Sequence, residues 1–357
     1  MRDMLKKKMS KNTRSNLITY GIVIVAFIVM QTLISTGSIS SLMEGLMIPL
    51  CIYIILAVSL NLVVGILGEL SLGHAGFMCV GAFASAFFSK CMRDVITIAP
   101  LRFFLALLIG VAVAAVFGII IGIPVLRLKG DYLAIVTLAF GEIIKNLVNV
   151  LFIGKDSNGF HFSTKDVMDL NMEADGTVIV NGPQGITGTP QDSTFVIGVI
   201  LILLTLFIVI NMVNSRDGRA IMAIRDNRIA AESVGINVTK YKLMAFTVSA
   251  ALAGAAGVLY AHNLSTLTAN TNNFGYNMSI NILVFVVLGG IGSIRGSMIA
   301  AVVLTLLPEL LRGLSDYRML IYAIVLIIMM LFNWSPKAIE WREKYLSFGK
   351  KKKEAVK

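Results

Sequence analysis

Histidine and serine are the residues to examine first for catalytic or metal chemistry. Histidine occurs only at His74, His161 and His262, and no HExxH spacing brings two histidines together as metal ligands. No GxSxG motif supplies an activated serine nucleophile. The sequence therefore predicts no catalytic residue, no metal site and no cofactor, and it indicates a protein that is not an enzyme.

A phosphate-binding loop is also missing from the sequence. The nearest glycine cluster, at 289–297, reads GGIGSIRGS and lacks the lysine of the GxxxxGK[ST] motif. We therefore expect any ATP hydrolysis that serves this chain to take place in a separate polypeptide.

One acid–base pair lies inside a long apolar run. Glu142 and Lys145 are three residues apart within 132–152, so both side chains fall on one helix face. Ionisable groups at membrane depth are costly and mark functional sites by default. Two readings stay open: Glu142 belongs to a transport path, or it forms a structural ion pair facing other helices.

Composition defines the elements that must position these groups. The chain has 357 residues, 57% of them hydrophobic and 14% charged, with a mean hydropathy of +0.83. Apolar runs near the length that crosses a bilayer predict an all-α, polytopic helical membrane protein with about ten transmembrane helices. The predicted spans are 17–34, 46–64, 77–88, 103–123, 132–152, 195–213, 243–261, 278–290, 297–311 and 319–332. Spans six to ten start from the side opposite to spans one to five, which allows two inverted five-helix halves.

Charge orients the chain and divides it into regions. The net charge of +11 is concentrated at the ends and in some loops, which favours cytoplasmic loops and an anionic inner leaflet over nucleic acid. We expect a basic cytoplasmic N-terminus (1–16), a transmembrane domain (17–333) and a basic cytoplasmic tail (334–357) in a plasma-membrane protein. The acidic stretch 154–194 is then extracellular. Lys90, Arg93 and Arg102 fall on the outside in this arrangement, against the positive-inside rule.

The stretch 214–242 is the most basic connection between two spans. Residues 220–234 have helix-forming composition, and Gly235 follows as a helix stop. A short amphipathic helix at the cytoplasmic surface suits docking against a partner protein. A solvated connecting loop is the alternative.

Glycine is concentrated between the second and third spans. Gly73 and Gly76 flank His74 in this stretch. Glycine at these positions suits close helix packing beside a transport path, or direct contact with a solute. His74 similarly suits capping the start of a helix or contacting solute.

Several segments together resemble one family. They are GELSLGHAGF at 68–77, LRLKGDYLAIVTLAFGEII at 126–144, GPQGITGTP at 182–190, AIRDN at 223–227, AAESVGI at 230–236 and VLGGIGSIRG at 287–296. The chain resembles the M-type permease subunit of branched-chain amino acid ABC importers over about 46–332. The resemblance implies a heterodimer with a second, related permease, two cytoplasmic ATP-binding subunits and an extracellular solute-binding protein.

The resemblance also implies that 214–242 is the cytoplasmic segment that couples to the ATPase. The general pattern of such segments is Glu-Ala-Ala, three residues, then Gly. Here Ile229 stands in place of the acidic residue, and Glu232 lies three positions later. The expected coupling residues are Arg219, Ala223, Arg225, Asp226, Ala230, Ala231, Glu232 and Gly235. The expected path or packing residues are Gly73, His74, Gly76 and Glu142.

By this resemblance the solutes are leucine, isoleucine and valine. A permease for urea or short amides is the alternative within the same superfamily. An ion-coupled secondary transporter using Glu142 is a rival of a different class. A membrane-embedded enzyme is disfavoured because the polar residues within the spans form no recognisable catalytic set.

Overall fold

The computed structural model describes residues 11–37, 40–128, 130–173, 176–311 and 317–334. The predictions for residues 1–10 and for the basic tail from 335 onward lie outside these ranges. So does Lys129, within the resembling segment at 126–144.

Helices account for each of the predicted spans. The α-helices are α1 (Lys11–Ser35), α2 (Ser41–Asn61), α3 (His74–Cys91), α4 (Ala99–Val125), α5 (Asp131–Val150), α6 (Phe195–Asn214), α7 (Arg216–Asp226), α8 (Arg228–Ser233), α9 (Val238–Ala261), α10 (Thr271–Phe274), α11 (Tyr276–Gly289), α12 (Ile294–Leu310) and α13 (Arg318–Trp334). A π-helical turn, Leu62–Leu67, extends α2. Within the described ranges, six helices are long and apolar enough to cross a membrane: α1, α2 with its extension, α4, α5, α6 and α9. The chain is therefore a helical, multi-pass membrane protein.

Helix α9 forms the centre of the bundle, and α2, α3 and α4 pack around it. Small residues let these backbones approach closely. A Cβ atom on Gly81 would lie 2.5 Å from the Cα of Gly254, and one on Gly257 would lie 2.1 Å from the carbonyl oxygen of Met78. The spacing of small residues on the seventh span (Ala250, Ala253, Gly254, Gly257 and Ala261) predicts a helix contact, and these close approaches confirm it.

Short strands cover one end of the bundle. β1 (Phe152–Asp156), β2 (Gly159–Ser163) and β3 (Thr177–Asn181) form an antiparallel sheet in the order β2-β1-β3. β4 (Ile186–Thr187) pairs with β5 (Thr266–Leu267). The apolar run Val178-Ile179-Val180 before Asn181-Gly182-Pro183 predicts a short strand and a turn, and the strand is confirmed within β3. The prediction that the fifth helix continues to 152 was wrong, because Phe152 begins β1 and pairs with strands on both sides.

The end of the bundle that the strands cover is the sheet end. Two of the basic residues that contradicted the charge rule, Lys90 and Arg102, bind there. Lys90 donates hydrogen bonds from Nζ to the carbonyl oxygens of Val178 at 2.8 Å and Ile179 at 3.2 Å. The Arg102 guanidinium pairs with Asp192 at 2.7 Å. Both cations therefore have local partners where the rule expects few cations.

Helix α11 is shorter than a full membrane span. It has 14 residues, or about 21 Å of helix, and it begins beside α5. The backbone N–H of Tyr276 donates to Oε1 of Glu142 at 2.8 Å, and Asn149 on the same helix donates to the carbonyl oxygen of Ala269 at 2.9 Å. The chain from Ala269 to the start of α11 at Tyr276 thus returns along α5, and the one-turn helix α10 is its only helical part. Non-helical backbone at such depth occurs where protein buries it or where it lines a cavity.

Candidate coupling site

The basic segment folds as two helices. The prediction of one helix over 220–234 was wrong, because Asn227 adopts an extended conformation with φ −156° and ψ 104°. Its side-chain oxygen instead accepts the N–H of Ala230 at 3.0 Å and so caps α8. The predicted stop is confirmed: Gly235 has φ +84°, the left-handed conformation that favours glycine after a helix.

The two helices bury one side and expose the other. Ile221 and Ile224 are buried, and Ile224 forms a small cluster with Ala231 and Val238. Ile229 and Val234 are instead 79% and 75% exposed. We call the exposed set Arg228, Ile229, Glu232 and Val234 the docking ridge. Apolar side chains this exposed on a polar helix pair are typical of a surface that meets another protein.

The expected coupling residues divide between these two sides. Among the described residues, Ala231 is buried and Ala223 is half-buried, whereas the others are exposed: Arg219, Arg225, Asp226, Ala230, Glu232 and Gly235. Glu232 forms an ion pair with Arg228 at 3.1 Å, four residues earlier on α8. The residue shifted from the usual acidic position therefore lies on the docking ridge.

Arg225 reaches inward, toward the end of α2. Its Nη1 donates to the carbonyl oxygen of Gly65 at 3.1 Å. Its aliphatic part covers Gly68, where an added Cβ would lie 2.5 Å from Arg225 Cγ. Its guanidinium also pairs with Asp226 at 2.9 Å. The family pattern assigns Arg225 to the ATPase contact, and the geometry connects it to the glycine-rich stretch.

An ion pair that the sequence did not indicate lies beside Arg225. Lys242, in the first turns of α9, donates from Nζ to Oε1 of Glu69. The two side chains are 6% and 15% exposed. A cleft of about 320 Å³ separates this pair from α7 and α8, and its lining includes Gly130 and Ile229. Because 173 positions separate the partners, no local spacing could have revealed them.

The glycines around His74 lie against neighbouring backbone. A Cβ on Gly73 would lie 2.2 Å from the carbonyl oxygen of Thr137, and one on Gly76 would lie 2.7 Å from the Cα of Gly141. His74 is 2% exposed, and its Nε2 lies 2.7 Å from Ser59 Oγ. These contacts favour the packing reading of all three residues.

Glu142 and Lys145 form the pair that their spacing predicts. The Glu142 Oε2 lies 2.5 Å from Lys145 Nζ, and Lys145 also reaches Thr271 Oγ1 at 3.2 Å. Glu142 Oε1 accepts the N–H of Tyr276. The pair thus connects α10 and α11 to α5. This favours a structural ion pair over a role of Glu142 in a transport path.

Known proteins resemble the chain over most of its length. A family model described as "branched-chain amino acid transport system / permease component" matches residues 42–332. The high-affinity branched-chain amino acid transport system permease protein LivM of Salmonella typhimurium is 36% identical over 297 residues, which cover 81% of this chain and 67% of the relative. LivM of Escherichia coli is 36% identical over the same shares.

More distant relatives include the ribose import permease protein RbsC of Escherichia coli, 28% identical over 78% of this chain and 81% of the relative. No solved structure matches the chain significantly. The family match extends over nine of the ten predicted spans, all but 17–34, and over the coupling site, and the chain belongs to the family of branched-chain amino acid transport system permease components.

Proposed function

We propose that this chain forms part of the translocation path for leucine, isoleucine and valine in a binding-protein-dependent ABC importer of the plasma membrane. The solutes follow from the names of the LivM relatives. The remaining parts of the importer are a second, related permease, two cytoplasmic ATP-binding subunits and an extracellular solute-binding protein.

The docking ridge is the observation that carries this assignment. Ile229 and Val234 are largely exposed on a helix pair whose other face packs on the bundle. Burying such residues in a groove of the ATPase would contribute about 1.5–3 kcal/mol for each large aliphatic side chain. A solvated loop would gain nothing from exposing them.

We infer that the ATPase and the binding protein bind at opposite ends of α5. α5 begins next to Gly130, beside Arg225, and leads into β1 at its other end. Its 20 residues span about 30 Å, the thickness of the hydrocarbon core. The coupling site is then cytoplasmic, as are both termini, and the insert of 154–194 is extracellular. Phe162 and Met168, which are 66% and 87% exposed, offer the binding protein an apolar contact.

Ten membrane-crossing segments in two inverted five-helix halves fit this arrangement. α1 to α5 form one half, and α6, α9 and α11 to α13 form the other. The chain between α9 and α11, which includes the one-turn helix α10, completes the eighth crossing, because α11 alone is too short. Transport follows as alternating access: closure of the ATPase subunits displaces α7 and α8 and biases the bundle between inward-open and outward-open states.

The test of ATPase docking replaces Ile229 with serine. We expect the variant to insert normally and to lose copurifying ATPase, because the side chain makes few contacts within this chain. The matched control is Val95→Ser, at a position that is 74% exposed near the sheet end. ATPase yields that are equal for both variants would indicate a solvated loop.

The solute is decided by uptake into vesicles that contain the reconstituted complex and its binding protein. We expect ATP-dependent leucine uptake that isoleucine and valine compete. Saturable urea uptake unaffected by excess leucine would favour the urea and amide alternative. Uptake that needs an ion gradient and no ATP would favour the secondary transporter.

Orientation is tested by single-cysteine labelling in a background without Cys51, Cys79 and Cys91. A cysteine at Lys165 should react only from outside, and one at Lys240 only from inside. The reverse pattern would invert the proposed topology.

A further inference from the structure

A glycine-rich link joins the coupling site to the rest of the bundle. This glycine link consists of residues 65–73: the end of the π-helical turn, Gly68 with φ +80°, and a stretch that leads to α3. Residues 68–73, all within the described part of the chain, form neither helix nor strand. π-helical turns often occur at functional sites. We propose that the glycine link transmits movement of α7 and α8 to the helices of the translocation path, and that Arg225 and Glu69 are the positioning residues for this transmission. This inference rests on the proposed function.

On the coupling side, two charged contacts hold the link. Arg225 donates to the Gly65 carbonyl oxygen and lies directly over Gly68. Lys242 at the start of α9 holds Glu69. Arg225 therefore connects α7 to the backbone of the link, and the Glu69–Lys242 ion pair connects the middle of the link to α9.

On the bundle side, the link touches α5 and the loop between α11 and α12. A Cβ on Gly65 would lie 2.4 Å from the Gly292 nitrogen, and that N–H donates to Asn61 Oδ1 at 2.9 Å. Asn61 Nδ2 donates to Ser297 Oγ at 3.0 Å. The Leu72 N–H donates to Thr137 Oγ1 on α5 at 3.0 Å. The same short link thus meets two elements of the bundle.

Close backbone contact makes the link suited to transmitting movement. At Gly65 and Gly73, backbone atoms of Gly292 and Thr137 occupy the space that a Cβ would need, and at Gly68 the Arg225 side chain occupies it. A shift of these neighbours therefore acts directly on the backbone of the link. Packed interfaces of this kind switch between discrete arrangements and do not deform gradually. Arg225 is 38% exposed in its side chain and reaches inward, whereas Ile229 and Val234 on the docking ridge are largely exposed. A displacement of the ridge by the ATPase therefore reaches the link through Arg225.

The experiment uses the complete complex of permeases, ATPase subunits and binding protein in proteoliposomes. It measures leucine uptake per ATP hydrolysed for Arg225→Met and Glu69→Gln. We expect both variants to keep copurifying ATPase and hydrolysis, while uptake per ATP falls about tenfold, the effect of one lost hydrogen bond to a charged group. The matched control, Arg216→Met, removes an exposed cation from the same helix and should leave the ratio unchanged. The double variant Glu69→Lys/Lys242→Glu should recover most of the ratio that Glu69→Lys alone loses.

The outcomes are separable from those that test the proposed function. If Arg225→Met loses its ATPase while Arg216→Met keeps it, Arg225 is an ATPase contact and the inference is overturned. An unchanged ratio in both Arg225→Met and Glu69→Gln, or no recovery in the double variant, also overturns it. If Arg225→Met fails to fold, Arg225→Lys, which keeps the charge without the guanidinium fork, takes its place with the same expected loss of coupling. Failure of the proposed function would instead abolish ATP-dependent uptake in the wild-type complex.

Discussion

Different kinds of interaction stabilise the two ends of the helix bundle. At the sheet end, β1 pairs with strands on both sides, and Arg102 and Asp192 form an ion pair whose side chains are 9% and 10% exposed. At the coupling end, α7 and α8 are held by a small apolar cluster and by the contacts of Arg225 and Lys242 with the glycine link. Backbone hydrogen bonds between strands stabilise the sheet end, whereas contacts of single side chains stabilise the coupling end.

This difference corresponds to the tasks that the proposed function assigns to the ends. A surface that receives a binding protein benefits from being formed in advance, because ordering it on binding would reduce affinity. A surface that is displaced in each transport cycle must move at a small cost in free energy. Elements that move come from the less stable parts of a structure. We therefore expect variants at the sheet end to affect stability and variants at the coupling end to affect coupling.

The largest effect on stability is expected for Arg102→Met at the sheet end. The change leaves the Asp192 carboxylate buried without its bidentate partner, and breaking a buried pair in this way costs about 3–5 kcal/mol. Thermal unfolding in detergent should show the loss, together with low yields of the assembled complex. Arg102→Met/Asp192→Leu should regain much of the stability, since no unpaired charge remains. Equal stability of wild type and Arg102→Met would refute the view that this end is rigidly fastened.

A smaller loss of stability is expected for Glu142→Gln, midway between the ends. The amide oxygen can still accept the Tyr276 N–H, and Lys145 keeps Thr271 as a partner, so the cost is about 1–3 kcal/mol, that of a weakened charged hydrogen bond. Leucine uptake should fall only in proportion to the amount of folded protein. Complete loss of uptake at wild-type stability would instead place Glu142 on the transport path.

Sequence patterns revealed the helices more completely than the contacts between them. Apolar runs and small-residue spacing depend on local order along the chain, so they located each span and the close packing of α9. The β1–β2 hairpin was missed although Asn158-Gly159, a frequent hairpin turn pair, lies where the turn leads into β2. Phe152 and Ile153 simply continued the apolar pattern of α5 into the first strand. The cap at Asn227 was equally indistinguishable from an exposed helix residue.

The candidate site was only partly accessible from sequence for a different reason. The family pattern indicated the stretch 214–242, and the exposed Ile229 and Val234 lie within it. Arg225 and Gly65 are 160 positions apart, and their contact depends on how α2 and α7 meet in the fold. Contacts of this kind arise from tertiary packing and leave no periodic signal.

A still smaller effect on stability is expected at Gly235, in the turn between α8 and α9. A Cβ there meets no atom within 4 Å, so the effect comes from backbone conformation alone, about 1–2 kcal/mol for a residue that disfavours positive φ. Gly235→Val should lower the thermal stability only by this small amount but uncouple ATP hydrolysis from uptake. Gly235→Asn, which tolerates the left-handed region, should remain close to wild type. Normal uptake and ATPase stimulation in Gly235→Val would reduce the segment to a linker.

The smallest effect is local to the sheet end and depends on pH. Burial raises the pKa of the Asp156 carboxyl. Hydrogen bonds from the Glu173 N–H, the His161 side chain and the Asn158 N–H lower this pKa by more than burial raises it, so the pKa lies below its usual value. A carboxyl with a lowered folded pKa stabilises fully above its unfolded pKa of about 3.9, and the stabilisation disappears as pH falls through the folded pKa. Hydrogen exchange in nanodiscs should therefore show that amides of β1 and β2 keep their protection at neutral pH and lose it below about pH 4. Asp156→Asn should lower protection at neutral pH and remove this pH dependence, while Asp169→Asn, at an exposed position on the same insert, should retain it. Persistence of the transition in Asp156→Asn would assign it to another group and remove Asp156 as the anchor of the insert.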